Sequence, residues 1–180
     1  MALTQVQGGM ILASGQSIPK AALPTGSVLQ VVNATKTDSA TINSTTFASL
    51  ISASITPTSS TSKILVVANI SFGGWNSTPC FRLNRGGTNI LLSDSSGSRT
   101  QTTYGTHWSA SNVLDFVQNL TLSASMNYLD SPATTSSTTY AVYWADLNGQ
   151  TSYCNRSYGD ANASWSPRST SSIVLMEIAA

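Results

Sequence analysis

Apolar residues in this chain come in short blocks, not at helical spacing. The longest, KILVVANISF at 63–72, lies between the polar run TPTSSTS and the pair Gly73-Gly74. β-Branched and aromatic residues suit a pleated, half-buried surface, so this block predicts a central strand that the glycines stop. Positions 47, 49, 51, 53 and 55 recur at period two and predict a strand over 47–55, which Pro57 closes off. A first strand is predicted at 28–32. The last is predicted at 172–178, with Ile173, Leu175 and Glu177 on one face and Val174, Met176 and Ile178 on the other. Segments 80–84 and 88–92 flank Arg85-Gly86-Gly87, and 140–147 and 150–155 flank Asn148-Gly149. Both turns are hairpin signals, because Gly and Asn tolerate positive φ. Between 113 and 126 the pattern is mixed: Val113, Phe116, Val117 and Leu120 fit a helix, whereas Leu120, Leu122 and Ala124 alternate. Asn, Thr and Ser dilute the helical signal, so strand is expected throughout. With long polar loops at 93–109 and 157–169, eight or nine strands predict an all-β protein, an antiparallel β-sandwich of jelly-roll type.

Residues 1–26 break the pattern. They carry Pro19, Pro24, four glycines and small apolar clusters without alternation. Proline fixes φ and removes a backbone donor, which favours an extended path. The expectation is an extended N-terminal arm over 1–26 ahead of a sandwich over 27–180. Met10, Ile11, Leu12, Ile18 and Leu23 are the residues that would dock it on a neighbour. The first charge is Lys20, and the apolar run at 10–13 is shorter than the core of an export signal. No window approaches the roughly 18 apolar residues of a membrane span. Neither export nor membrane insertion is expected.

Composition then narrows the function. Ser and Thr fill 54 of 180 positions, charged residues fill 15, Glu occurs once, and the net charge is +1. A chain that is 41% hydrophobic can still bury a core, so the reading is a folded domain with a neutral, hydroxyl-coated exterior. There is no basic patch, so nucleic-acid binding is not expected. Little self-repulsion opposes close self-association, and a homo-oligomer is expected.

Groups able to do chemistry are sparse. Cys80 and Cys154 stand far apart in strand-like contexts and read as buried thiols, with a bridge as the alternative if their strands are neighbours. His107 has no nucleophile elbow to serve. Glycoside cleavage would need two positioned carboxyls, and most of the aspartates sit in turns where they satisfy their own backbone. Asp94 and Asp160 lack calcium-loop spacing. No catalytic residue, metal or cofactor is therefore expected. The loop aromatics Trp75, Tyr104, Trp108, Tyr158 and Trp165, together with His107, are the candidate binding residues. An aromatic face beside hydroxyls suits a sugar or a protein partner; the same rings could instead cap the ends of the sandwich or line a subunit interface. Trp108, in the polar stretch around His107, is the leading contact residue, and Trp144 is expected in the core.

Several stretches resemble one group of proteins: GSVLQVV at 26–32, TPTSSTSKILV at 56–66, FRLNRGGT at 81–88, YLDSPATT at 128–135 and VLMEI at 174–178. These are similar to virion structural proteins and fibre-like domains of marine tailed bacteriophages. The resemblance implies a jelly-roll-like sandwich on a virion surface, often trimeric, and carries no mapped catalytic or receptor-binding set. The expected function is a phage virion surface protein assembled in the bacterial cytoplasm, in its most concrete form a tail-associated fibre or receptor-binding protein. A capsid decoration protein is the second reading and a glycan-cleaving enzyme the third. The expected partners are two further copies of the chain, another virion protein (tail, baseplate or capsid) held through the arm, and a host surface glycan or protein.

Overall fold

The computed structural model describes residues 23–109 and 118–180. The arm residues Met10, Ile11, Leu12 and Ile18, and the mixed stretch around Val113, Phe116 and Val117, lie outside the described residues. Within them the chain forms β1 (Val28–Lys36), β2 (Ala40–Ile42), β3 (Ala48–Ile55), β4 (Lys63–Gly74), β5 (Pro79–Arg85), β6 (Thr88–Ile90), β7 (Tyr104–Gly105), β8 (Leu122–Asp130), β9 (Thr138–Asp146), β10 (Ser152–Cys154) and β11 (Ser171–Ile178).

Two antiparallel sheets result. One runs β1-β11-β4 with β8 on the far side of β4, and β10 extends the β11 column with β2 beside it. The other runs β3-β9-β5, with β6 and β7 sharing the outer column. The early strands pair with the late ones in reverse order: β1 with β11, β3 with β9, β4 with β8, and β5 with β6. A long antiparallel ribbon rolled up so that its partners alternate between two sheets is a jelly roll.

Alternation decides which side chains meet between the sheets. Ile64, Val66, Ala68, Ile70 and Phe72 of β4 are fully buried, and Ile173 and Leu175 of β11 lie beside them. From the other sheet come Ile51, Ala53 and Ile55 of β3, Phe81 and Leu83 of β5, and Tyr140, Val142 and Trp144 of β9. Trp144 is core, as its strand context predicts.

Two glycine-bearing segments differ from the sequence expectation, and so does the described part of 113–126, where Gln118 and Asn119 form a 3₁₀ turn and strand begins only at Leu122. β4 continues through Gly73 and Gly74, which pair with Tyr153 and Ser152 instead of stopping the strand. A Cβ at Gly73 would stand 2.6 Å from the Arg156 carbonyl oxygen, and one at Gly74 would meet the Trp108 ring at 2.6 Å. The glycines are there to let neighbours approach. Second, Asn148-Gly149 does not close a hairpin: β9 lies in one sheet and β10 in the other. The reason is Asp146, whose Oδ1 accepts from the amides of Asn148 (3.0 Å) and Gln150 (3.2 Å), while its Oδ2 accepts from the Ser152 hydroxyl (2.6 Å). That carboxylate carries the chain across to the other sheet.

The outer face of the first sheet is unusual. Val31, Met176, Leu65 and Leu129 sit opposite one another in a single cross-strand row. Val31 is 57% exposed and Leu129 49%. The next row is Asn33, Val174, Val67 and Asn127, and the one after it Thr35, Ser172, Asn69 and Ser125. The face is aliphatic at the end where β1 begins and β11 finishes and turns polar towards the other.

Candidate functional site

Trp75 directly follows β4, and Tyr153 is paired with Gly73, so both stand at the end of the sandwich away from the start of β1 and the end of β11. Alternation buries Ser152 and Cys154 and turns Tyr153 outward. The chain then loops through Tyr158, whose ring lies 6.2 Å from that of Trp75 and edge-on to that of Tyr153 at 5.9 Å. The Arg156 guanidinium covers the Tyr153 ring at 3.9 Å, a cation–π contact. It also reaches Asp160 Oδ2 at 3.1 Å, and Arg168 reaches the same oxygen at 2.9 Å. Trp75, Tyr153, Arg156, Tyr158, Asp160 and Arg168 therefore form one aromatic and ionic surface. Tyr158 is 41% exposed in it, and Trp165, in the same loop, is 60% exposed.

The other sequence candidates go elsewhere. Trp108 stacks on Phe72 at 5.7 Å and 27°, Tyr104 meets Phe72 edge-on at 5.9 Å, and both pack against the core. The Trp108 amide donates to the Ser77 carbonyl at 2.9 Å. This corrects the expectation that Trp108 is an outward contact residue: its ring fills the space that Gly74 leaves and covers Phe72. His107 is exposed, with Nδ1 2.8 Å from the Thr78 hydroxyl. Leu23 lies at the opposite end, in a groove of about 370 Å³ with Leu29, Thr58, Ala179 and Ala180.

Sequence reasoning singled out Trp75, Tyr158 and Trp165 but missed Tyr153 and Arg156. The signal that could have found Tyr153 is its place between two small residues, Ser152 and Cys154, where alternation turns the ring outward.

Three carboxylates are consumed in holding the sandwich together. Glu177 is buried and accepts from Gln30 Nε2 (2.6 Å), the Thr58 amide (2.7 Å) and the Thr58 hydroxyl (2.7 Å). Burial pushes its carboxyl up, but the hydrogen bonds from Gln30, Thr58 and Ser62 outweigh that and hold it below the usual carboxylate range. Asp130 of β8 accepts from Arg85 (2.8 Å) and from the Tyr140 hydroxyl (2.6 Å), both in the opposite sheet. Burial and then the bond to Asp130 push the Tyr140 phenol far up. Asp146 makes the corresponding tie at the other end, through Ser152.

Cys80 and Cys154 are buried, unbridged and in different sheets. Burial raises both thiols, Cys80 to about 11. Such thiols are poor nucleophiles. Thiol labelling is expected to be slow in the native protein and fast once it is unfolded, with or without reductant. Failure to label after unfolding unless reductant is added would reveal a disulfide.

Among the described residues, no three His, Cys, Asp or Glu side chains gather into a metal-binding group. No family model matches the chain, and no curated protein matches it.

Proposed function

We propose that this chain is a bacteriophage virion surface protein, a homotrimeric tail-associated fibre or receptor-binding domain that its N-terminal residues anchor and whose far loops meet the host. The observation that carries the reading is the polarity of the sandwich. β4 runs 12 residues from Lys63, beside the start of β1 and the end of β11, to Gly74, beside the aromatic surface. At about 3.3 Å per residue, the two ends stand roughly 35 Å apart. Attachment at one end and an exposed ring cluster at the other is what a tethered adhesion domain needs. The jelly roll and the phage-like motifs agree with this reading, although a fold by itself hosts many functions. The outward aliphatic row of Val31, Met176, Leu65 and Leu129 supports self-association, because neutral apolar surface of this kind gains by being covered. Trimerisation would also multiply weak host contacts through effective concentration.

The same row favours a second reading, a capsid decoration protein lying with that sheet against the shell. Mass-spectrometric copy counting on intact, purified particles separates the two. A tail component is expected at a few copies per particle. Tens to hundreds of copies would establish decoration, and absence from purified particles would remove both readings.

A further inference from the structure

Resting on the attachment reading, we infer that the surface formed by Tyr158, Trp75, Arg156 and Arg168 is a binding site for an acidic sugar. The sugar's C–H face would lie on the Tyr158 ring and its carboxylate against the arginine pair.

The aromatic part is held ready in advance. Tyr158 is braced by the rings of Trp75 and Tyr153, and Arg156 lies over Tyr153. A ring supported by other rings loses little freedom on binding, and its face offers apolar contact beside polar groups. Nearby polar chemistry is ample. Asn162, Ser164 and Ser166 line an open groove of about 400 Å³ with Asp160 and Arg168, within the size range of small-ligand sites.

The charge selects the ligand within that class. Arg156 and Arg168 both bind the single oxygen Asp160 Oδ2, so two cations share one anion and the cluster retains a positive charge. The Arg168 side chain is 55% exposed, which leaves donors of its planar fork open to solvent. A guanidinium fork matches a carboxylate in bidentate geometry, and a neutral sugar has nothing equivalent to offer it. A single-stranded nucleic acid would also favour rings with arginine, but it needs a basic track along several phosphates. With eight Lys and Arg against seven Asp and Glu in the whole chain, this protein has no charge to spare for such a track.

Ligand-observed saturation-transfer NMR on the full chain tests the site, using a short oligogalacturonide, a matched neutral galacto-oligosaccharide and an oligothymidylate. The acidic sugar is expected to bind about tenfold more tightly than the neutral one, and added salt should erode that difference. Arg168→Gln should abolish the preference by weakening the acidic sugar to the level of the neutral one, with the melting temperature unchanged. Tyr158→Ala should weaken both sugars. Equal binding of the two sugars, binding to neither, or tighter binding of the oligothymidylate would overturn the inference. Adsorption of the purified protein to host cells, lost in Tyr158→Ala, would keep the attachment reading alive even then. A chain absent from virions would remove that reading and leave the sugar site standing.

Discussion

Phe72→Ala is expected to lower the melting temperature sharply while leaving the aromatic surface at Tyr158 in place. Phe72 is fully buried near the far end of β4, and three rings lean on it: Phe81 at 5.1 Å, Trp108 at 5.7 Å and Tyr104 at 5.9 Å. Truncating a buried Phe typically costs about 3–5 kcal/mol, because the lost transfer energy is joined by that of an unfilled cavity. In a chain of this length that corresponds to a drop of roughly 6–20 °C. The near-ultraviolet circular dichroism of Trp108 should change with it. A shift below about 3 °C would mean that Tyr104 and Trp108 collapse into the gap and do not depend on Phe72 for their positions.

Glu177→Gln should destabilise the protein at neutral pH and flatten its response to acid. The carboxylate accepts from donors on β1 and on the turn before β4, so it ties Gln30 and Thr58 to the last strand. A glutamine turns an NH₂ group towards those donors and loses at least one charge-assisted bond, a cost of about 1.5–3 kcal/mol. The sign of the pH effect follows from the depressed folded-state value. Above the unfolded value near 4.3 the stabilisation is fully present. As pH falls below that, the unfolded chain takes up the proton first, and stability is lost down through the folded value. Denaturant titrations from neutral pH to about pH 3 should show the wild type losing more stability than the variant in that window. Parallel curves for the two proteins would show that Glu177 carries no such linkage.

Much of the sandwich is legible in the sequence because local alternation alone specifies it. The block at 63–72 and the closing strand reveal which residues face inward, including Glu177 on the face of Ile173 and Leu175. The hairpin at Gly86-Gly87 is equally local, with φ of 53° and 92°. What could not be read depends on partners distant in the chain. Glu177 finds Thr58 119 positions away and Gln30 147 away, so nothing near it in sequence marks it as a clamp. Asn148-Gly149 carries every hairpin signal, yet Asp146 sends the chain to the other sheet. Trp108 has polar neighbours that read as exposed loop, whereas the room for its ring comes from Gly74, 34 positions earlier. The aromatic surface was half visible for the same reason: Trp75 and Tyr158 sit in polar loops, but Tyr153 and Arg156 join them only because β10 pairs with the glycines of β4.

The adjacency of β1 and β11 has a mechanical side. Gly26 and Ala179 are tied by a 2.8 Å backbone bond, and the Ala179 amide returns to Ser27 at 2.9 Å. A tether leaving through Leu23 would therefore pull on β1 along its own length, while a grip at Tyr158 holds the opposite end of the sheet. The ladder joining β1 to β11 runs from Val28 to Lys36, parallel to that pull. Its hydrogen bonds would share the tension in shear and would not open one after another like a zip.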